Sequence, residues 1–253
     1  MTTKYYTTVN VLPEFIEDGF GAQYLKIIHC YVFTKMYNLN FVYSPFVKIE
    51  HNYNNDPEYE NKMENIVNLK NHIQNVEKGM NIEYLNFPKI CMPHFEKNIH
   101  EWAKSEHMNF IKKCFWENKE NDVFKNSKFN IAVHIRRINK CDEGKNPDNR
   151  VKTPNNYFLS IMNLIRKKYS TKNILFHIYS QGDINNFKEF ISDDVEFHIN
   201  SDVITSFLEM ASADVLVISP SCFSYVPALL SHGEVYYNSF WHGKLAHWIE
   251  CYE

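Results

Sequence analysis

Two adjacent arginines, Arg136 and Arg137, follow the β-forming run Phe129 to Ile135, with His134 just ahead of them. Guanidinium groups donate fork-like, charge-assisted hydrogen bonds, so such a pair at a strand's end suits a diphosphate; the competing reading is a surface charge pair. A second segment, Ser219-Pro220-Ser221-Cys222-Phe223-Ser224, follows the apolar run Val215 to Ile218 and opens a helical pattern. Hydroxyls and helix-terminal N–H groups there make an anion site, or Ser221 simply caps the helix. A third, Asp18-Gly19-Phe20-Gly21-Ala22-Gln23, has two glycines that permit a tight turn close to a ligand, and serves equally as a structural turn. The fourth, Tyr179-Ser180-Gln181-Gly182-Asp183, ends another strand and reads otherwise as an Asp-containing turn.

All four segments follow predicted strands, which is where open α/β sheets bind ligands. Strand character over Tyr6 to Leu12, helical spacing from Tyr24 through Met36 and strand character at Asn40 to Tyr43 predict a βαβ opening. Helices are expected over Glu58 to Val76, His94 to Lys104 and Met108 to Trp116. The charged, Asn-rich stretch Glu117 to Lys128 reads as a linker. Beyond it strands are expected at 129–135, 174–179, 195–199, 215–219 and 234–236, alternating with helices at 155–168, 185–191, 203–212 and 223–231. Such alternation means mostly parallel sheets covered on both faces. The expected fold is α/β with two Rossmann-like lobes, residues 1–124 and 125–253, and a C-terminal helix around Trp241 to Trp248 packing back across the lobes. Those aromatic residues would otherwise line an acceptor cleft.

Composition narrows the function classes. The 253 residues are 44% hydrophobic and 23% charged, which suits a packed globular protein. Lys plus Arg number 27 against 30 Asp plus Glu, a net −3, so there is no bulk electrostatic reason to bind nucleic acid. No stretch approaches the length of a membrane span or a signal peptide, no Asn-x-Ser/Thr site occurs, and the six Cys form no Cys-x-x-Cys pair. These features predict a cytoplasmic protein with free thiols. Cys91, His94, His107 and Cys114 match no standard zinc spacing and are read as dispersed residues.

The order and spacing of the motifs resemble the GT-B fucosyltransferase superfamily, which comprises the α1,2-, α1,6- and nodulation-type enzymes and the protein O-fucosyltransferases. Gly19-Phe20-Gly21-Ala22-Gln23 resembles its Gly-x-Gly-Asn-Gln loop, departing at Ala22. His134-Ile135-Arg136-Arg137 matches its His-x-Arg-Arg motif, and Lys140 falls where the α1,6 group carries Lys. Ser221-Cys222-Phe223-Ser224-Tyr225 resembles the Ser-Ser-Phe-Ser-Trp segment of the α1,2 group.

The resemblance implies an inverting glycosyltransferase moving fucose from GDP-fucose to a glycan acceptor, with donor held mainly by the C-terminal lobe and with neither metal nor cofactor. A departing diphosphate gains charge that preorganised cations and helix N-termini stabilise, and no Asp-x-Asp motif occurs. Arg136 would bind the β-phosphate, supported by Arg137, with His134 near the nucleoside and Ser221, Cys222, Phe223 and Ser224 around the phosphates. Gly19, Gly21, Gln23, Lys140 and Asp183 complete the expected donor set. Inversion also needs a base for the acceptor hydroxyl, for which Glu143, Asp142 and Asp18 (with Glu17 beside it) are the candidates. Ser206 stands where the family often carries an acid that reads guanine; Asp202 or Glu209 would substitute, and a UDP-sugar such as UDP-xylose is the alternative donor. A nucleotide-sugar or glycan-binding protein without turnover is the alternative to an enzyme. Action in the cytoplasm would fit a bacterial enzyme, or a viral one working in its host.

Overall fold

The computed structural model describes residues 3–8, 18–119, 123–138 and 153–251, in two compact units, Met1–Lys119 and Glu120–Glu253. Each unit has its own parallel sheet with helices, so the fold is mixed α/β, as the alternation of patterns in the sequence implies.

The first unit runs β1 (Lys4–Thr8), α1 (Phe20–Met36), β2 (Asn40–Phe41), α2 (Tyr59–Val67), β3 (Asn81–Leu85), α3 (Met92–Lys104) and α4 (Glu106–Trp116). Its three strands lie in the order β2-β1-β3, all parallel. Helix α1 is apolar on nearly every side, burying Tyr24, Leu25, Ile28 and Val32 among others, because it packs against β1, β2, α3 and α4 together. Helix α4 starts where Ser105 accepts a hydrogen bond from the Met108 amide at 3.1 Å, with Glu106 in the positive first turn.

Two expectations change here. The helix expected over 58–76 stops at Val67, because Asn68 adopts φ +57°, a left-handed conformation that Asn tolerates and that ends a helix. Strand β3 carried no readable signal: of its residues only Leu85 is buried, so it has no alternation.

The second unit runs β4 (Phe129–His134), α5 (Asn155–Lys168), β5 (Ile174–Ser180), a 3-10 helix (Ile184–Phe190), β6 (Val195–Ile199), α6 (Val203–Ser212), β7 (Val215–Val217), α7 (Cys222–Leu230), β8 (Glu234–Asn238) and β9 (Ile249–Cys251). These six strands form one parallel sheet ordered β6-β5-β4-β7-β8-β9. Ile131, Val133, Phe176, Ile178, Val215 and Val217 make one apolar face with Phe158, Ile161, Met162 and Ile165 of α5. Each fully buried side chain of this size contributes about 1.5–3 kcal/mol of transfer free energy.

The C-terminal helix is absent from the described residues. The segment 239–248 is irregular and leads into β9, which pairs in parallel with β8. Its carbonyls are taken up by buried tyrosines: Tyr225 Oη donates to Gly243 O at 2.7 Å and Tyr237 Oη to His242 O at 2.5 Å. Trp248 meets Tyr225 edge-on at 5.4 Å, and both belong to the core of this unit, whereas Trp241 is exposed. What reads as a helical aromatic pattern is a loop whose polar backbone is satisfied by side chains.

Candidate functional site

The chain of the second unit lays down β4, β5 and β6 in one direction, then returns to place β7 on the other flank of β4. Numbered in sequence, this is the strand order 3-2-1-4-5-6, and the reversal falls between β4 and β7. Ligands of open α/β sheets bind in the crevice outside such a switch point. The register aligns Val133 with Val217, so the two strands end almost level and both motifs of interest leave the sheet side by side.

Ser219, fully buried, joins the two exits. Its Oγ donates to the carbonyl of His134 at 2.6 Å and accepts from the amide of Arg136 at 2.9 Å. On the other flank Ser180 Oγ donates to the Ile135 carbonyl at 2.7 Å, and the Ile135 amide donates to Tyr179 O at 2.9 Å. The turn carrying the arginines is thus fastened from both neighbouring strands. His134 Nδ1 shares a hydrogen bond of 2.8 Å with Ser224 Oγ, and Phe223 meets the imidazole edge-on at 5.6 Å. Burial, reinforced by the positive charges of Arg136 and Arg137, depresses the His134 pKa to about 3, so the ring is neutral at physiological pH.

Ser221 caps α7 with its hydroxyl accepting from the Phe223 amide at 3.3 Å, while its carbonyl accepts from Tyr225 N at 3.0 Å. The N-capping reading of Ser221 therefore holds, and it leaves the positive end of α7 beside the arginine turn.

The two arginines differ. Arg137 folds back on the start of α5, donating to Thr153 O at 3.1 Å and Asn155 Oδ1 at 2.6 Å, over the ring of Phe187 at 5.9 Å. Arg136 has its amide anchored on Ser219, and its half-buried guanidinium donates to the Arg137 carbonyl. Chemically, this edge offers a cation, a helix N-terminus and a neutral imidazole, a combination suited to a phosphate-bearing ligand.

Other candidate residues have local tasks. Asp183 caps the 3-10 helix, accepting from the Asn185 amide at 2.8 Å. Neighbouring Gly182 adopts φ +107°, and its amide and carbonyl bond reciprocally to the side chain of Asn200 at 2.9 Å. Asp202 caps α6 through the Thr205 amide at 2.9 Å, and Ser206 Oγ donates to the Asp202 carbonyl at 2.8 Å. Glu209 accepts from Tyr179 Oη at 2.9 Å.

In the first unit, Gly19 is the N-terminal cap of α1, and a Cβ there would sit 2.6 Å from His51 Cδ2. Gly21 lies in the buried first turn, and buried Gln23 donates from Nε2 to Asp18 O at 2.7 Å and Lys48 O at 2.8 Å. The Asp18 carboxylate is paired with Lys26. Lys140, Asp142, Glu143 and Glu17 lie outside the described residues.

The assembled edge therefore holds His134, Arg136, Arg137, Ser221, Cys222, Phe223 and Ser224. Ser219 and Ser180 lie in segments that the sequence marks as candidate ligand loops, but their task of fastening the turn to the neighbouring strands is not readable there, since a small hydroxyl residue just past a strand end is common.

No family model and no curated protein sequence matches the chain. Among solved structures, POFUT1 in complex with GDP superposes with a TM-score of 0.45 at 13% identity, over 92% of this chain and 96% of that one. POFUT1 in complex with GDP-fucose gives 0.34 at 12% identity, over 99% and 73%, and its apo-form 0.33 at 12%, over 90% and 70%. All three of these neighbours are structures of POFUT1, a protein O-fucosyltransferase.

Proposed function

We propose that the protein is an inverting, metal-independent glycosyltransferase that transfers fucose from GDP-fucose to a glycan acceptor. One observation carries this reading: the His134-Ile135-Arg136-Arg137 turn and the Ser219 to Ser224 segment, read separately as anion-binding motifs, leave the sheet together at the switch point of the second unit and are hydrogen-bonded to each other. Arg136 and the N-terminus of α7 take the diphosphate. As the acceptor oxygen attacks the anomeric carbon, the bond from that carbon to the β-phosphate oxygen breaks, and its electron pair leaves with the diphosphate. Arg136 and the α7 dipole stabilise that charge, while a carboxylate takes the acceptor proton; Glu143, Asp142 and Asp18 are the candidates. Neutral His134 approaches the nucleotide without adding charge.

The donor base has a second reading. Ser206, in place of an acid, has its hydroxyl engaged with the Asp202 carbonyl, and Asp202 and Glu209 are held by Thr205 and Tyr179. That arrangement favours no guanine-reading carboxylate on α6 and keeps a UDP-sugar such as UDP-xylose as the alternative donor.

Calorimetric titration of GDP, GDP-fucose, UDP and UDP-xylose with chelator present tests both readings. GDP and GDP-fucose binding that is lost in Arg136→Ala supports the proposal, and UDP or UDP-xylose binding instead transfers it to the alternative donor. Heat from no nucleotide, or nucleotide binding without any sugar transfer across a glycan panel, leaves a binding protein without turnover.

A further inference from the structure

On the sheet face opposite the α5 core, three side chains from neighbouring strands converge. His177 of β5 is directly opposite Glu196 of β6, and Tyr179 is opposite His198, so strand periodicity sets His177, Glu196 and His198 on one face. Their ligand atoms all lie within 4.8 Å of one another, and among the described residues this is the one such group of His, Cys, Asp or Glu side chains. His177 Nδ1 lies 3.0 Å from His198 Nε2 and 3.6 Å from Glu196 Oε2. Bonds of about 2.0–2.1 Å from a tetrahedral ion place neighbouring ligand atoms about 3.3 Å apart. The two measured separations bracket that value.

The imidazole at the centre is already oriented. His177 is 2% exposed, and its Nε2 lies 3.0 Å from Asn130 Oδ1. The Asn130 amide is itself fixed, since Nδ2 donates to Lys128 O at 3.1 Å and Asn126 Oδ1 at 3.1 Å, so Oδ1 must accept. Nε2 of His177 therefore carries the hydrogen, and the Nδ1 lone pair points at the cluster. An N–H donated to a carbonyl oxygen on the far side is the usual support of a metal-bound imidazole. Phe124 packs on His177 at 4.6 Å, and Tyr179 stacks on His198 at 4.7 Å, which fixes both rings. Without an ion, His198 donates from Nε2 to His177; with one, neutral His198 moves its hydrogen to Nδ1 and no charge need change.

We propose that His177 Nδ1, His198 Nε2 and Glu196 form a binding site for a divalent transition ion of the zinc class, with solvent completing a four-coordinate shell at the β5–β6 edge. Two imidazoles and one carboxylate suit zinc, and cobalt as its probe, and do not suit magnesium or calcium. The ion would fasten edge strand β6 to the body of the sheet.

The full-length protein, stripped with chelator, is titrated with Co²⁺ and then Zn²⁺. One Co²⁺ per chain, with visible bands of tetrahedral intensity that Zn²⁺ abolishes and Mg²⁺ does not, is the expected result. Because His177 is buried, the variants are His198→Ala and Glu196→Gln, checked for fold by circular dichroism. Each should weaken Co²⁺ binding at least about 10-fold, since loss of mere outer-shell partners costs 10–100-fold. Zn²⁺ should raise the melting temperature of the parent protein and not that of His198→Ala. Absence of stoichiometric Co²⁺ uptake, or uptake unchanged in both folded variants, overturns the site.

Discussion

His134 and Ser224 meet at 2.8 Å across 90 residues of sequence, joining the end of β4 to the first turn of α7 through one side-chain hydrogen bond. Burial and the positive charges of Arg136 and Arg137 keep this imidazole neutral, which makes His134 a source of pH dependence. Its folded-state pKa of about 3 lies below the 6.5 of an unfolded chain. As pH falls from about 6.5 towards 3 the unfolded chain takes up a proton there that the folded protein does not, so the stability this group supports at neutral pH is lost on acidification. The slope is about 1.4 kcal/mol per pH unit inside that window. In urea unfolding between pH 4 and 6, His134→Gln should show a shallower slope than the parent by about one proton. His177, whose pKa burial also depresses to about 4, contributes equally to both proteins and cancels in the difference. Equal slopes would mean that His134 does not stay neutral.

Arg136 and Arg137 are adjacent in sequence and unlike in task, so their alanine variants should separate. Arg137 is bound to Thr153 and Asn155 at the entry to α5, and its half-buried guanidinium is held over Phe187. Arg137→Ala should lower unfolding free energy by about 1.5–3 kcal/mol, the range for charged hydrogen bonds, with a smaller effect on nucleotide affinity. Arg136→Ala should do the reverse, with the smaller effect on the urea midpoint and with diphosphate binding weakened at least about 10-fold, the equivalent of about 1.4 kcal/mol. Chemical denaturation and calorimetry on the same two variants provide the comparison. Matching profiles would contradict the division.

Gly233 lies where the chain enters β8, tight against the backbone before β7. A Cβ at this position would sit 2.2 Å from Ala213 O and 2.7 Å from Asp214 O. Neither carbonyl can yield easily, since the Glu234 amide donates to Asp214 O at 2.9 Å and the Asp214 amide, in the same peptide unit as Ala213 O, donates to Asn130 O at 3.0 Å. Gly233→Ala should therefore cost at least about 2 kcal/mol, in the range of overpacked interiors. Thermal unfolding reads the effect directly, and a variant as stable as the parent would show that β8 can shift.

The second unit was largely legible in sequence because parallel strands covered on both faces show as unbroken apolar runs, such as Val215 to Ile218, with turn residues between them. The same reasoning placed His134, Arg136 and Ser221 at strand exits. Asp183 and Asp202 stand at similar exits yet cap helices, since a carboxylate after a strand serves a cap and a ligand equally well. In the first unit, a single left-handed residue, Asn68, ended a helix that apolar spacing alone would continue. The His177, Glu196 and His198 group escaped notice for a different reason: all three lie inside strands that were foreseen, but their proximity depends on the register between β5 and β6, which no single stretch of sequence encodes.

The pairing of β4 with β7 has a kinetic consequence. The contacts that close the site span 83 to 90 residues, and β5 and β6 can dock on β4 before any of them exists. Closing so long a loop carries an entropic cost that the local pairing of β4, β5 and β6 does not. A half-built sheet of β4, β5 and β6 would have its arginine turn but not the Ser219 and α7 partners that fasten it. On the proposed function, a nucleotide would be held only once that closure is made, and the rate at which binding appears during refolding would time it.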